Sequence, residues 1–404
     1  MLKKELFWYS KVNEPDSFSR IFKSMNKTLQ EFYNIHIIVP GYKILEKELV
    51  HFKKIRMGDP LLIDDSLNTY DSLMNDNSLK SKIIYSFLQV LYYCLRYNID
   101  YLLILMGVYE ANVLLSIIST FKKSNTLNTK IILYTPFDYL PSYKCIDNYR
   151  YADKIITTIN VSEVCKYYKN VYELGHANDE HFKKLDVSRS ELIKIINKWS
   201  DLIKKKPIKC KDIIILNANN YGSRKRLETT VDVFIKIMYE HPNLKLWLHG
   251  GDNLLKNIHI VKDIPLERLI ISGPMTESQL NIVYNICQIG LQTSWGEGWS
   301  LTNCEHSVCG SLQVVPDFMA TGVHFGQGRG LLIPVTVTDY LNEDNIPVKI
   351  GIVSVDDTAK VVMNAIDIVK NSELLSGYVN SCVEYFKKFN FVDLSHRLND
   401  IISY

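Results

Sequence analysis

The sequence predicts an α/β protein with two parallel sheets that follow one another along the chain, each covered by helices on both faces. Over about the first 180 residues, short apolar runs alternate with longer segments of helical periodicity, which is the pattern of a parallel sheet with crossover helices. A polar and basic passage, Lys184–Lys211, interrupts this alternation, which then restarts. The chain of 404 residues is also too long for one ordinary hydrophobic core.

Short apolar runs in the first half have the length and composition of strands. They are Leu6–Tyr9, His36–Pro40, Tyr101–Met106, Ile131–Tyr134, Lys154–Ile159 and Val171–Leu174. Between them, helical patterns cover Phe18–Phe32, Ile83–Tyr97 and Ala111–Phe121. The run Tyr101–Met106 is apolar without interruption, which is typical of a strand buried on both faces of a parallel sheet.

The second half repeats the alternation of strands and helices. Its predicted strands are Asp212–Leu216, Leu244–His249, Leu269–Ser272, Ile289–Gln292 and Leu312–Val315. Its predicted helices are Leu227–Tyr239, Thr276–Cys287, Asp356–Lys370, Glu373–Lys388 and Phe391–Ile402. Thr276 is of a residue type that commonly caps a helix N-terminus. Ligands of such sheets bind at the carboxyl ends of strands, so the loops after these strands are the candidate binding regions.

The composition excludes some classes of function. A formal net charge of +3 gives no reason to expect bulk nucleic-acid binding. Eight cysteines are scattered without a CxxC motif, as expected of reduced thiols in a cytosolic protein. The N-terminal residues lack the apolar core of a signal peptide, and charged residues break the apolar region Ser86–Phe121, which argues against a membrane span. We therefore expect a cytoplasmic protein.

The passage Lys184–Lys211 has two interpretations. Its lysines suit peripheral contact with an anionic membrane surface. Its polarity also suits a solvated connection between two domains, which we favour. We therefore expect an N-terminal domain over residues 1–190, a linker over 191–211 and a C-terminal domain over 212–388.

The stretch Trp295–Gly310 combines the features of an anion site with two acids. Its sequence, WGEGWSLTNCEHSVCG, follows a predicted strand, turns through two glycines and then has a helical pattern. Free backbone N–H groups at a helix N-terminus bind phosphates, and carboxylates accept hydroxyl protons. Glu297 lies in the turn and Glu305 eight residues later in the helix. The stretch therefore favours a ligand with both phosphates and hydroxyls, such as a nucleotide-sugar.

The longer run Ile271–Asp317 resembles the donor-binding core of the retaining family-4 glycosyltransferases, which have the GT-B fold. The resemblance rests on two acids separated by seven residues in an EGFGL-like turn and helix, here Glu297 and Glu305 with EGWSL in the turn, and on the Cys-Gly before a Val-rich strand. Ser300 replaces the usual second glycine of that turn. The resemblance implies two Rossmann-like domains that face a central cleft, the first on the acceptor side and the second binding the nucleotide-sugar. It also implies that residues 389–404 return to the first domain as a helix.

The resemblance assigns roles to the residues of this turn and helix. Glu297 is expected to bond hydroxyls of the donor sugar, and Glu305 to bond the ribose. Four residues between them are expected to meet the sugar and the diphosphate through backbone N–H groups. These are Gly298, Trp299, Ser300 and Leu301. For Trp299, a role in packing is an equally good interpretation.

A basic loop, NANNYGSRKR, follows the first predicted strand of the second half. The resemblance matches Arg224 and Lys225 to a basic pair that neutralises the donor diphosphate, with Arg226 beside them. Fixed cations there lower the barrier, because the leaving nucleoside diphosphate gains negative charge in the transition state. The usual first arginine of this loop is absent, and Asn219 and Asn220 occupy that region.

Two loops of the first half match the same family. In YTPFDYLP, Asp138 stands where many members carry a residue beside the reacting sugar, so it is the candidate on the acceptor side. An Asp that caps a turn next to a proline is the alternative for this position. The first loop of the family is Gly-rich, whereas SKVNEPDSFSR has no glycine. Its candidates for phosphate contact are Ser17, Ser19 and Arg20.

Two further segments have a structural or a binding interpretation. GHANDEHF resembles the turn that closes the first domain, which places Asp179 and Phe182 at a predicted hinge. His249-Gly250-Gly251 ends a predicted strand and either touches the donor base or only turns the chain.

The predicted function is retaining, metal-independent transfer of a hexose from a nucleotide-diphosphate sugar to a hydroxyl of a glycan, a lipid or a protein-linked sugar. No cofactor is expected beside the donor substrate. No metal site is predicted, since no set of His, Asp and Glu shows metal-ligand spacing and the loops contain no DxD. The alternatives are a GT-B epimerase or phosphorylase, and a catalytically inactive nucleotide-sugar-binding protein. The glycine-poor first loop motivates the inactive alternative.

Overall fold

A computed structural model describes residues 3–10, 17–38, 87–88, 90–91, 94–97, 99–176, 180–199, 203–204, 207–250, 258–341 and 347–404. It shows two parallel sheets with helices, so the predicted fold class, α/β with two successive doubly wound halves, is confirmed. Parts of several predictions lie outside these residues. They are most of the first loop, the end of the strand His36–Pro40, part of the helix Ile83–Tyr97, the turn residue Asp179, and Gly251. The side chains of Ser17 and Ser19 also lie outside the description.

The elements are numbered here in chain order. The strands are β1 (Lys4–Tyr9), β2 (Tyr33–Ile38), β3 (Tyr101–Leu105), β4 (Lys130–Thr135), β5 (Leu140–Pro141), β6 (Lys154–Thr157), β7 (Val171–Glu173), β8 (Ile203–Lys204), β9 (Ile213–Ala218), β10 (Leu244–His249), β11 (Leu269–Ser272), β12 (Ile289–Leu291), β13 (Leu312–Pro316), β14 (Leu331–Ile333), β15 (Val335–Leu341) and β16 (Pro347–Val353). The helices are α1 (Ser17–Leu29), α2 (Val108–Lys123), α3 (Tyr143–Ile146), α4 (Ser162–Tyr167), α5 (Arg189–Asn197), α6 (Leu227–Ile237), α7 (Glu277–Ile286), α8 (Leu301–Val308), α9 (Met319–Phe325), α10 (Val355–Lys370), α11 (Ser372–Phe386) and α12 (Phe391–Ser403).

The first sheet has the order β2-β1-β3-β4-β6-β7, and all its pairings are parallel. Every residue of β3 is buried, which explains why the corresponding stretch of the sequence is apolar without interruption. The carboxyl end of β4 leads into the loop that carries Asp138. This loop is therefore at the edge of the sheet where ligands of doubly wound folds bind.

The second sheet has the order β14-β13-β12-β9-β10-β11-β8, with β8 alone antiparallel among the described pairings. Strands β9 and β12 are neighbours in its centre. The loops that follow these two strands carry Arg224 and Lys225 in one case and Glu297 in the other. The strand order thus brings together two segments that are about seventy residues apart in the sequence. The predicted N-cap of α7 is also confirmed, because Thr276 and Gln279 form a capping box.

A small antiparallel sheet, β15-β16-β5, joins the two halves and was not predicted from the sequence. Strands β15 and β16 form a hairpin of the second half, and β16 pairs with Leu140 and Pro141 of the first half. The two-residue strand β5 has no pattern that would distinguish it in the sequence. The alternation Val-Thr-Val-Thr at the start of β15 was the available sign of a half-exposed strand.

The passage predicted as a linker, residues 191–211, contains structure that packs on the second sheet. Helix α5 begins with a capping box between Ser188 and Glu191. Leu192 and Ile196 of this helix belong to one buried cluster with Trp247 of β10. Strand β8 extends the second sheet at the edge next to β11. The described residues of this passage thus pack with the second half.

The last helix, α12, packs on the first half of the chain. The Tyr33 hydroxyl donates to the Asn399 side chain at 2.9 Å, and Arg397 donates to the carbonyl of Glu173 at 3.1 Å. Lys154 donates to the carbonyl of Ile401. No helix in the described part of the chain is both long enough and apolar enough to cross a membrane.

Candidate active site

The turn after β12 lies directly against the loop after β4. A Cβ atom on Gly296 would stand 2.0 Å from the carbonyl oxygen of Asp138, and one on Gly298 would stand 2.7 Å from Cβ of Pro136. The two glycines of the turn are therefore required by the close approach of backbone from the other half of the molecule. This approach is what joins the candidate donor turn to the candidate acceptor residue.

Ser300 adopts the left-handed backbone conformation, with φ of 66°, immediately before α8. Glycine adopts this conformation without strain, which explains why the related turns carry glycine here. The Ser300 hydroxyl is buried and donates to Oδ1 of Asn303 at 2.8 Å. This bond compensates part of the strain of a serine at this position.

Glu297 is the centre of a buried cluster of charges, and its residue is 4% exposed. Its Oε1 accepts hydrogen bonds from Nζ of Lys225 at 2.6 Å and from Nε2 of Gln292 at 2.9 Å, and it lies 3.0 Å from Nη1 of Arg224. Burial acts to raise the pKa of this carboxyl, but the charges of Arg224 and Lys225 outweigh burial and hold that pKa below its usual range. Glu297 is therefore ionised at neutral pH.

The two cations come from a short 3₁₀ turn, Ser223–Lys225, that follows β9. Arg224 donates to the carbonyl of Gly296 at 2.6 Å, so it also holds the turn that carries Glu297. Burial lowers the pKa of Lys225, and the Glu297 carboxylate offsets part of this effect. Burial acts in the same direction on Arg224, but there the carboxylates of Glu297 and Asp138 prevail and raise the pKa. The site thus holds two basic side chains beside one buried carboxylate.

Asp138 connects the first half to this cluster. Its Oδ1 accepts a hydrogen bond from the backbone N–H of Gly298 at 2.8 Å and lies 3.5 Å from Nη1 of Arg224. Its side chain is 38% exposed. Asp138 thus reaches one of the backbone groups that were expected to bind the donor, while it remains accessible to solvent.

Glu305 lies in α8 and is fully buried. Its Oε1 is 2.5 Å from Nη2 of Arg20, a residue of α1 in the first half, and its Oε2 accepts from the Tyr284 hydroxyl at 3.4 Å. The Arg20 guanidinium also lies over the ring of Phe182, 5.4 Å from its centroid. The sequence predicted a phosphate contact for Arg20, whereas the structure pairs it with the carboxylate expected to bind the ribose.

The Trp299 side chain belongs to the hydrophobic core. It is 3% exposed, and its ring centroid lies 4.1 Å from that of His324 and 4.8 Å from that of Phe389. The packing interpretation of Trp299 is the one that this environment supports. Leu301 is only partly buried and packs on the same core cluster.

Gln292 is a site residue that no sequence motif indicates, because it ends a predicted apolar strand. In the structure Gln292 is fully buried and bonds Glu297. A polar side chain at the carboxyl end of a buried strand was the sign that could have identified it.

His249 is also at a strand end, but its Nδ1 bonds the Ser272 hydroxyl at 3.0 Å and burial lowers its pKa to about 4. Gly251 lies outside the described residues. Within the described ranges, no three His, Cys, Asp or Glu side chains are grouped closely enough to hold a metal ion.

Comparisons with known proteins identify the fold. No family model and no curated protein matches the chain. Among solved structures, a glycosyltransferase from Rickettsia africae is 14% identical, with 99% of this chain and 98% of that chain covered and a TM-score of 0.71. Sucrose-phosphate synthase from Thermosynechococcus elongatus is 12% identical, with 99% and 98% covered and a TM-score of 0.68. HepE from Anabaena, solved with UDP and glucose, is 11% identical, with 99% of both chains covered and a TM-score of 0.65.

The chain has the GT-B fold. Its two Rossmann-like halves extend over nearly the whole length of these structures. Since a fold of this kind supports several reactions, the function has to be argued from the site.

Proposed function

We propose that this chain is a glycosyltransferase that moves a hexose from a nucleotide-diphosphate sugar to a hydroxyl acceptor, with retention of configuration at the transferred sugar and without a metal ion. The acceptor class we propose is a glycan, a lipid or a protein-linked sugar. The fold supports the proposal: HepE was solved with UDP and glucose, and WaaG, another similar structure, is involved in lipopolysaccharide biosynthesis.

One observation carries the proposal: a buried carboxylate, Glu297, and two cations, Arg224 and Lys225, meet at the carboxyl ends of neighbouring parallel strands. A buried carboxylate can accept sugar hydroxyls through charge-assisted hydrogen bonds. The adjacent cations can neutralise a diphosphate.

In the proposed reaction, the bond between the anomeric carbon and the diphosphate oxygen breaks while the acceptor hydroxyl approaches from the same face. Arg224 and Lys225 stabilise the negative charge that develops on the leaving nucleoside diphosphate. A diphosphate oxygen takes the proton of the acceptor hydroxyl, so the step requires no protein nucleophile. Glu297 holds the donor sugar, and Asp138, which is accessible beside the Gly298 N–H, contacts the acceptor side.

The experiment that tests the proposal measures release of nucleoside diphosphate by the full chain. Candidate donors, including UDP-glucose, UDP-N-acetylglucosamine and GDP-mannose, are first screened by thermal shift, since a ligand that binds only the folded state raises the melting temperature. We expect at least one of them to raise it and to be consumed with release of nucleoside diphosphate. Glu297→Ala should abolish this release without unfolding the protein. Normal turnover in that variant would contradict the proposal.

A second candidate, a nucleotide-sugar-binding protein without transfer activity, is favoured by one observation. The carboxylate expected to bind the ribose, Glu305, is covered by Arg20. A donor that raises the melting temperature but is never consumed, with or without added acceptor sugars, would favour this candidate. Release of free sugar without an acceptor would instead indicate an epimerase.

A further inference from the structure

A chain of buried polar side chains leads through the second sheet to Glu297. Its members come from β9, from α6 and from the end of β12. They are Thr293, Thr230, Asn217, Asn219 and Gln292. All five are buried. We call this set the polar chain. Buried polar groups are costly unless they are bonded, and each member of the polar chain has a described partner.

At the Thr293 end of the polar chain, the contacts determine which group donates and which accepts in each hydrogen bond. The Thr293 hydroxyl donates to the carbonyl of Arg226 at 2.8 Å. Its proton is thereby used, so in its 2.8 Å contact with Thr230 it accepts from the Thr230 hydroxyl. Thr230 in turn accepts from Nδ2 of Asn217 at 2.9 Å. The amide of Asn217 therefore has its nitrogen toward α6 and its oxygen toward Asn219.

The contacts determine donor and acceptor in the same way as far as Glu297. Nδ2 of Asn219 donates to Oδ1 of Asn217 at 2.8 Å and to Oε1 of Gln292 at 2.6 Å. Nε2 of Gln292 is then free to donate to Oε1 of Glu297 at 2.9 Å. If the Gln292 amide were flipped, its oxygen would face a carboxylate and its NH₂ would face the NH₂ of Asn219. The polar chain thus determines that Gln292 presents a donor to Glu297.

The three cationic or amide groups around Glu297 all meet the same oxygen. Lys225, Arg224 and Gln292 contact Oε1 at 2.6, 3.0 and 2.9 Å. None of the described residues donates a hydrogen bond to Oε2. With Oε1 held from three sides, the plane of the carboxylate has little freedom, and Oε2 is left as the acceptor for a group from outside the protein.

We propose that Gln292 is a positioning residue that fixes the Glu297 carboxylate so that its Oε2 accepts a hydroxyl of the donor sugar. This inference rests on the proposed function. The hydroxyl donates to Oε2. In the described part of the chain, Lys225 donates to Glu297 and Arg224 to the carbonyl of Gly296, which leaves other N–H groups of these two cations for the diphosphate. Asn219, Asn217 and the two threonines keep the amide of Gln292 in the required orientation. A rotated carboxylate would misplace the sugar, and a misplacement of about 1 Å lowers a rate by up to roughly 100-fold.

The test compares two glutamines at opposite ends of β12. Gln292→Met removes the donor to Glu297 with little change in volume. Gln288→Met is the matched control: Gln288 precedes β12, its Oε1 accepts from the backbone N–H of Ile214 at 3.0 Å and from Arg189 at 3.1 Å, and no described hydrogen bond joins it to the proposed site. Gln292→Glu is the second variant, which keeps the shape of the side chain.

We expect Gln292→Met to lower kcat for release of UDP from UDP-glucose, or from the donor found in the thermal-shift screen, by roughly 10- to 100-fold. We expect Gln288→Met to change kcat by less than about twofold, because its site is structural. Gln292→Glu places a second carboxylate beside Glu297, which raises the pKa of Glu297, so the acid-side fall in kcat should move to higher pH. Equal loss of kcat in the two methionine variants, or an unchanged pH profile in Gln292→Glu, would overturn the proposal.

Failure of the proposed function gives a different result from failure of this inference. If the wild-type chain releases no nucleoside diphosphate from any donor, the proposed function is wrong. The hydrogen bond between Gln292 and Glu297 can then be tested by a double-mutant cycle, in which urea unfolding measures the stability of Gln292→Met, Glu297→Gln and the double variant. Non-additive effects support Gln292 as the partner that positions Glu297, and additive effects overturn it.

Discussion

Two buried carboxylates, Glu297 and Glu305, lie eight residues apart, but their charges are balanced from different parts of the molecule. Glu297 is paired with Arg224 and Lys225, which belong to the same half and follow the neighbouring strand β9. Glu305 is paired with Arg20, which belongs to α1 of the other half. The first arrangement exists within a single sheet. The second exists only when the two halves are in contact.

Glu297 therefore has Arg224 and Lys225 as partners within one half, whereas Glu305 has Arg20 as a partner only when the two halves are in contact. The described charge partners of Glu297 all come from the second half, whereas the first half reaches this group through Asp138, which bonds the N–H of Gly298 and lies 3.5 Å from Arg224. Removing one partner of a buried ion pair leaves an uncompensated charge and is strongly destabilising. A movement that separates α1 from α8 therefore breaks the described ion pair between Arg20 and Glu305. We therefore expect a separation of the halves to affect Glu305 directly, through Arg20, and to affect Glu297 only through the contacts of Asp138.

The largest effect is expected from Lys225→Ala, which removes one of the two cations within the second half. Because Arg224 still balances Glu297, the protein should fold, but stabilisation of the leaving diphosphate is weakened, and kcat should fall by roughly 100- to 1000-fold. Release of nucleoside diphosphate is the measurement. Lys236→Ala is the control, since Lys236 pairs only with the exposed Asp356, at 2.9 Å, in the described part of the chain. Normal turnover in Lys225→Ala would mean that the cation pair is not part of the site.

The next effect concerns the contact between halves. Arg20→Gln removes the described cation from the fully buried Glu305, so we expect a loss of about 3 kcal/mol in the free energy of unfolding. Arg20 is 28% exposed, which keeps the loss from being larger. Urea unfolding of Arg20→Gln, Glu305→Gln and the double variant measures it. The double variant should be more stable than the sum of the single effects predicts. Additive effects would show that the pair contributes nothing to joining the halves.

Local sequence patterns predicted the features of the second half better than the contacts between halves. The apolar runs of β9 and β12 are local and could be predicted as strands. The resemblance to family-4 glycosyltransferases, and not a local pattern, implied that Arg224, Lys225 and Glu297 serve one site, because the adjacency of β9 and β12 is not local. The pairing of Arg20 with Glu305 spans 285 residues and depends on how two separate sheets dock. The pairing of β5 with β16 has the same origin, because two residues carry no detectable period.

The unfolding free energy at acidic pH tests whether Arg224 and Lys225 hold Glu297 ionised in the folded protein. Its pKa is lowered in the folded state, from 4.5 to about 2, so the unfolded state takes up the proton first as the pH falls. The stability contributed by the ionised group is complete above about pH 4.5 and is lost as the pH falls toward 2. We expect the difference in unfolding free energy between wild type and Glu297→Gln to narrow over this range, by on the order of 2 kcal/mol.

Buried histidines also make the folded protein less stable as the pH falls. Burial lowers their pKa in the folded state, so the unfolded state takes up their protons first. These histidines are His176, His249, His306 and His324. They are present in both proteins of this comparison, so their contribution cancels in the difference. The difference in unfolding free energy between wild type and Glu297→Gln could instead change by less than about 0.5 kcal/mol between pH 5 and pH 2, which is the size of effect expected for surface groups. That result would show that the cations do not hold Glu297 ionised.

The smallest effect is expected at Ser300, in the turn between the two carboxylates. Ser300→Gly relieves the left-handed backbone, which is worth about 1 to 2 kcal/mol, but it loses a hydrogen bond of about 1 kcal/mol and adds flexibility to the unfolded chain. These changes nearly offset one another, so the unfolding free energy should change little. Ser300→Ala loses the bond and keeps the strain, and should be less stable than Ser300→Gly by about 1 kcal/mol. Both variants lack the Ser300 hydroxyl, so their order reports only on the backbone, and the reverse order in urea unfolding would mean that the left-handed conformation of Ser300 carries no strain.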